Sequence, residues 1–198
     1  NLTVSGAASP DSRGNSFVST TNTGGGNHIV ALKGMTFVDF DVNRDFSIIS
    51  AAKGTFYDRI EISGSSFSDV SGAVVKLDVE TDDYGIYNSE YLIIESSRFE
   101  RIGGPAASVY RGGTDESTFG PHVWVRDSRF ESVGVRGGPF MRVHGVQNLE
   151  LTNNRVTDAE PAEFVITTCI PKTEVSGNAR VGTDATPLLT TIDLRKTK

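Results

Sequence analysis

"EISGSSFSDV" (61–70) returns, with changes, as "IIESSRFERI" (93–102), "WVRDSRFESV" (124–133) and "ELTNNRVTDA" (150–159). Each copy opens on alternating apolar and polar residues, the period of a half-buried strand. Each then passes through a small or polar turn. Self-similarity at a near-constant period is the mark of a repeat architecture.

Phe37, Phe67, Phe99, Phe130 and Val156 close the successive units, at separations of 30, 32, 31 and 26 residues. Seven and five residues before each stand Val30 and Leu32, Ile60 and Ile62, Leu92 and Ile94, Val123 and Val125, Leu149 and Leu151. Three residues after each stand Phe40, Val70, Ile102, Val133 and Ala159. All are apolar. A second short apolar segment follows in every unit: "FSIIS" (46–50), "AVVKLDV" (73–79), "AASVY" (106–110), "PFMRV" (139–143) and "EFVIT" (163–167). Long amphipathic helical patterns are absent.

Two or three short strands per unit of this length predict an all-β chain, a right-handed parallel β-helix of about five to seven coils. Equivalent residues of neighbouring coils then stack about 4.8 Å apart, and the four phenylalanines form an internal column. The competing architecture is an antiparallel β-sandwich, but its tight hairpin signals, such as Asn-Gly between strands, are missing. The expected layout is a single domain over 1–198, with a long loop at 5–27, coils over 28–181 and a cap or tail at 182–198. "NARV" (178–181) echoes "NNRV" (153–156), but the apolar residues upstream of it are displaced by one, so it reads as a degenerate last coil. Leu188, Leu189, Ile192 and Leu194 are expected to cover that coil, and Arg195, Lys196 and Lys198 to lie in solvent.

Composition narrows the function. The 198 residues are 37% apolar with 21 glycines, which suits many turns and short strands. A net charge of −6 argues against nucleic acid as a partner, because such binding rests on a basic face. An anionic ligand needs a local basic site instead. The single Cys169 excludes an internal disulfide and a cysteine-based zinc site. No apolar run reaches membrane-spanning length, and no membrane partner is expected. The sequence opens on Asn1 in what reads as mid-domain sequence, so a fragment or processed product is expected.

"YRGGTDESTFGP" (110–121) is too polar for a core. Arg111 plus 31 is Arg142, the same step as from Phe99 to Phe130, so the two arginines are expected at equivalent positions on neighbouring coils. Stacked guanidinium groups would either grip the carboxylates of an acidic polysaccharide or pair with nearby acids and fix the loops. The alternation from Val109 also allows Arg111 to point inward, where pairing is obligatory. Asp83 plus 32 is Asp115, which makes "DVETDDYGIYN" (78–88) a stacked neighbour of the 110–121 loop. That edge gathers Asp78, Glu80, Asp82, Asp83, Asp115 and Glu116. The acids lack the spacing of a known cation loop and read as solvated or Arg-paired, so no metal site is assigned. His144 in "VHGVQN" is either a general base or a hydrogen-bonded structural residue. Lys53 and Lys76 are single lysines for which sequence spacing identifies no partner. No Gly-rich phosphate loop follows a strand and opens a helix.

Three stretches carry a family resemblance: "GTFYDRIEISGSSFSDVSGAVVKLDVETDDYGIYNSEYLIIESSRFERIGG" (54–104), "YRGGTDESTFGPH" (110–122) and "RVHGVQN" (142–148). Over roughly residues 28 to 160 the chain resembles polysaccharide lyase family 6, which includes alginate lyases and relatives of chondroitinase B. The likeness is to the second, C-terminal β-helix domain of its larger members. The resemblance implies β-elimination on uronate chains such as alginate, in a secreted or periplasmic bacterial protein. It places the Lys base, the assisting Arg and a calcium ion in an N-terminal catalytic β-helix domain, the expected partner. The family's calcium-site acids followed by Asn-Lys-Ser are not found in this sequence, nor is its Arg-His-Gly segment. Arg142-Val143-His144-Gly145 carries an extra residue between Arg and His, so no catalytic role transfers to either, and no cofactor is expected in this segment.

The resemblance leaves Tyr110, Arg111, Arg142 and His144 as candidates for contact with substrate, and Asp115 and Glu116 as a structural loop. Two further readings remain. One is an independent carbohydrate-binding module, with Tyr57, Tyr84, Tyr87, Tyr91 and Trp124 as candidates for stacking on sugar rings. The other is an autonomous lyase built on Arg111, Arg142 and His144. Trp124 lies between inward Val123 and Val125 and is therefore expected to face outward, toward a sugar or an interface.

Overall fold

A computed structural model describes residues 2–6, 15–20, 28–41, 45–79, 88–111, 121–167, 171–182 and 187–197. Its strands form three parallel sheets. The first holds β1 (Leu2–Ser5), β4 (Met35–Phe40), β7 (Ser66–Val70), β10 (Arg98–Ile102), β13 (Arg129–Val133), β16 (Arg155–Thr157) and β19 (Ala179–Val181). The second holds β2 (Ser16–Thr20), β5 (Ser47–Ala51), β8 (Val75–Leu77), β11 (Ala107–Tyr110), β14 (Met141–His144), β17 (Ala162–Ile166) and β20 (Leu189–Asp193). The third holds β3 (Ile29–Lys33), β6 (Tyr57–Ser63), β9 (Ser89–Glu95), β12 (His122–Arg126), β15 (Asn148–Thr152) and β18 (Lys172–Ser176). Each strand pairs with the one three places further along, so the chain visits the sheets in turn and advances by one coil. This is the expected parallel β-helix.

The core follows the repeat. Phe37, Phe67, Phe99 and Phe130 lie in register on the first sheet and are buried. Their rings stack with centroids 5.2, 5.2 and 4.9 Å apart and tilts of 6°, 17° and 12°. The paired apolar residues of the third sheet align as spaced, from Val30 and Leu32 to Leu149 and Leu151.

The polar turn in each copy is the corner between the third and first sheets. Gly34, Gly64, Ser96, Asp127, Asn153 and Gly177 all take positive φ there, between 49° and 66°. Only glycine and short polar residues enter that region readily. The next residue builds a ladder through the wall. The backbone N–H of Met35 donates to Ser65 Oγ, that of Ser65 to Ser97 Oγ, and that of Ser97 to Ser128 Oγ, each at 3.2 Å. Ser128 N–H donates to Asn154 Oδ1 at 3.0 Å, and Asn154 N–H to Asn178 Oδ1 at 2.8 Å. Each rung satisfies a backbone donor that the corner leaves without a sheet partner.

Both ends depart from expectation. The 5–27 stretch is not a loop throughout: β2 pairs with β5, and Val18 lies opposite Ile49 and packs on the core. Among the described residues this segment pairs with one coil, and it lacks the full column pattern. At the other end the register shows the displacement by one that the sequence implies, since Leu151 pairs with Val175 and Val156 with Arg180, and "NARV" is out of step with "NNRV". The guanidinium of Arg180 donates to Ala159 O at 2.5 Å, where the interior column would otherwise continue. Leu188 and Leu189 pack on the core, but Ile192 and Leu194 are 41% and 39% exposed. Arg195 folds back on Asp193 at 2.8 Å.

Candidate functional site

The outward face of the second sheet carries the polar residues of interest. Ser50, Lys76, Ser108, Arg142 and Glu163 lie in one column across β5, β8, β11, β14 and β17. Two residues further along, Tyr110 lies opposite His144. Their half-buried rings stand 4.3 Å apart at a tilt of 32°.

This register corrects the expected pairing of Arg111 with Arg142. In the first sheet the step between coils is 31, from Phe99 to Phe130, but in the second it is 34, from Ser108 to Arg142. The corner between β10 and β11 spans 103–106, whereas that between β13 and β14 spans 134–140. The three added residues fall in a turn where Gly134, Gly137 and Gly138 take positive φ. Arg142 therefore stands opposite Ser108 and donates from Nε to Glu163 Oε1 at 2.9 Å.

Arg111 lies one residue beyond Tyr110, on the opposite side of the wall, and is fully buried. Its backbone N–H donates to His144 O at 2.9 Å. Of the four residues put forward for substrate contact, three share the outward face and Arg111 is set apart. Asp115 and Glu116 lie outside the described residues, as do Glu80, Asp82, Asp83, Tyr84 and Tyr87.

Beside the Arg142 column is a cleft of about 200 Å³. Lys76, Arg136 and Arg142 line it together with Asp45, Asp78 and Ser108. Its floor is glycine backbone at the corner between sheets. A Cβ on Gly103 would lie 2.0 Å from Ser71 O, so no side chain fits there. Ser108 Oγ donates to Asp78 Oδ2 at 2.6 Å and holds that carboxylate at the rim. Arg136 reaches Asp41 at 3.2 Å. Lys76 and Arg136 join the site only through the register. The inward columns Val75–Ala107–Met141 and Leu77–Val109–Val143 flank Lys76, Ser108 and Arg142 and are the signal that places Lys76 on the same face as Arg142.

The third sheet has its own outward cluster. Tyr91 stacks on His122 with centroids 5.0 Å apart, and Trp124 lies 5.7 Å from Tyr91. The expected outward Trp124 is half-buried and carries the Arg126 guanidinium 5.2 Å from its ring centroid. Arg126 is in turn held by Glu150 at 2.7 Å and Glu95 at 3.1 Å. The hydrogen bond from Arg126 keeps the Glu150 carboxyl below its usual range. Burial pushes the His122 imidazole down. Among the described residues no group of three or more His, Cys, Asp or Glu side chains converges on a point suited to a metal ion.

No family model matches the sequence, and no curated protein sequence matches it. Solved structures do. An arginine-to-alanine mutant of the PL6 family alginate lyase AlyGC is 37% identical over 93% of this chain, with a TM-score of 0.82. A second AlyGC structure is 40% identical over 85% of the chain, with a TM-score of 0.79. This chain spans 26% and 23% of the length of those two lyase chains. Identity, fold and coverage together bear out the likeness read from the motifs: the chain is a parallel β-helix of the kind found in polysaccharide lyase family 6, about a quarter of the length of the alginate lyases it matches.

Proposed function

We propose that this chain is the C-terminal β-helix domain of an alginate-lyase-like polysaccharide lyase that cleaves uronate chains by β-elimination. One observation carries the reading: close likeness over nearly all of this chain to about a quarter of a lyase. On this reading the domain buttresses an N-terminal catalytic β-helix domain. Its second-sheet face, with Tyr110, Arg142 and His144, adds to the substrate path. β-Elimination needs charge stabilisation at the uronate carboxylate and a base for the acidified proton. Those groups, a calcium ion with a Lys and an Arg, belong to the partner domain in a secreted or periplasmic enzyme.

The test is a lyase assay on the isolated 198-residue chain with alginate, with and without calcium, following the ultraviolet absorbance of the unsaturated product. The expected result is no product from this chain and product from the two-domain protein. Calcium-dependent product from the isolated chain would overturn the reading. The Tyr91–His122–Trp124 cluster favours a second reading, an independent carbohydrate-binding module. Under that reading, Trp124→Ala abolishes alginate binding by the isolated chain.

A further inference from the structure

We infer that the cleft beside Arg142 is a carboxylate subsite anchored by Lys76, which takes one acidic sugar unit of a polysaccharide. The chain as a whole is at −6, yet this cleft brings together Lys76, Arg136 and Arg142 against Asp45 and Asp78. Asp41 and Glu163 pair with two of these cations, so what the concave site offers an anion is a local cation at Lys76 rather than a net positive charge.

The three cations differ in what already holds them. Arg142 is paired with Glu163, and Arg136 with Asp41. Both are exposed pairs of little net strength, which a ligand carboxylate can replace. The Lys76 side chain makes no hydrogen bond or ion pair among the described residues. Its ammonium, on a flexible four-carbon stem, is the cation most available to an incoming carboxylate. Two interstrand steps separate it from Arg142, roughly 10 Å along the stack at the usual spacing, and Ser108 on β11 lies between them.

The remaining groups suit a sugar. At about 200 Å³ the cleft is smaller than a drug-sized pocket and fits a single ring. Its glycine floor offers bare backbone, and the Asp78 carboxylate fixed by Ser108 can accept from a sugar hydroxyl. The identification of the anion as a uronate rests on the function proposed above.

The experiment measures binding of oligouronates and of a neutral oligosaccharide of equal length to the isolated chain, by NMR titration. The variants are Lys76→Gln, Lys76→Arg and Lys33→Gln. Lys33 is a control, paired with Glu61 at 2.8 Å on the third sheet. Oligouronates bind and the neutral sugar does not. Lys76→Gln weakens binding about tenfold or more, as expected for losing one charge-assisted contact. Lys76→Arg restores most of the affinity, and Lys33→Gln changes nothing. Equal binding by Lys76→Gln and the unmodified chain overturns the inference. So does failure of oligouronates to bind, or binding of the neutral sugar as tightly. The lyase assay above is read on product formation, so failure of the lyase reading is seen separately from failure of the Lys76 comparison.

Discussion

Tyr110 and His144 face each other across neighbouring strands of the second sheet, with ring centroids 4.3 Å apart. The two rings form one surface, and each limits the motion of the other. In the two-domain protein proposed above, Tyr110→Ala is expected to weaken binding of a uronate oligomer by a few-fold, the scale of about 0.5–1.5 kcal/mol for an aromatic contact. His144→Ala does the same, and the double variant loses less than the sum because each single change already disrupts the pair. Additive losses in a binding titration would show that the rings act separately.

Phe99 lies between Phe67 and Phe130 in the buried column. Phe99→Ala opens a cavity that the neighbouring coils cannot close without breaking register. The expected cost is about 3–5 kcal/mol in unfolding free energy. Urea unfolding monitored by circular dichroism checks it, and a loss under about 1 kcal/mol would mean that the column collapses readily.

Ser97 accepts from Ser65 N–H and donates to Glu95 O at 2.7 Å. Ser97→Ala leaves a buried backbone donor without its partner, at a cost of about 1–3 kcal/mol. Ser97→Asn is expected to cost less, because Asn154 and Asn178 fill the same rung further along. If the two variants unfold at the same urea concentration, the ladder is not what holds this corner.

Gly145 follows the candidate residue His144 with φ at +68°, and a Cβ there would lie 2.2 Å from the carbonyl oxygen of Arg111. Gly145→Ala combines backbone strain with a clash against main chain. A loss of about 2 kcal/mol or more is expected, together with weaker oligouronate binding because the His144 strand end must shift. Unchanged stability would show that the two coils can separate at this point.

His122 sets a pH dependence. Burial lowers its pKa below the ordinary 6.5, against a smaller opposing pull from Glu90. The folded state therefore disfavours the imidazolium. The associated stability is fully present above pH 6.5 and is lost as pH falls from there through the depressed folded value. His122→Phe keeps a ring against Tyr91 and removes the titration. Thermal unfolding from pH 7.5 down to 5 is expected to fall more steeply for the unmodified chain than for the variant, and parallel curves would rule His122 out.

The columns of the β-helix were legible because they are local and repeated. A residue that faces inward once faces inward again in each coil, so Phe37, Phe67, Phe99 and Phe130 announce their stack by type and spacing. Gly64, Ser96, Asp127 and Asn153 likewise share a backbone conformation that only some residues tolerate. The candidate face is legible in part: Tyr110, Arg142 and His144 stand out in the sequence as residues, but their mutual placement does not. A spacing measured in one sheet does not carry across a corner of changed length. The three residues added between Val133 and Met141 moved Arg142 from Arg111 to Ser108, and Arg111, one residue beyond outward Tyr110, is buried on the other side of the wall. By itself, then, the sequence determined the repeat, the core and the family likeness, since these depend on residue type and period. Tertiary structure alone decided which cations share the cleft with Lys76, because that depends on the summed length of every turn between them.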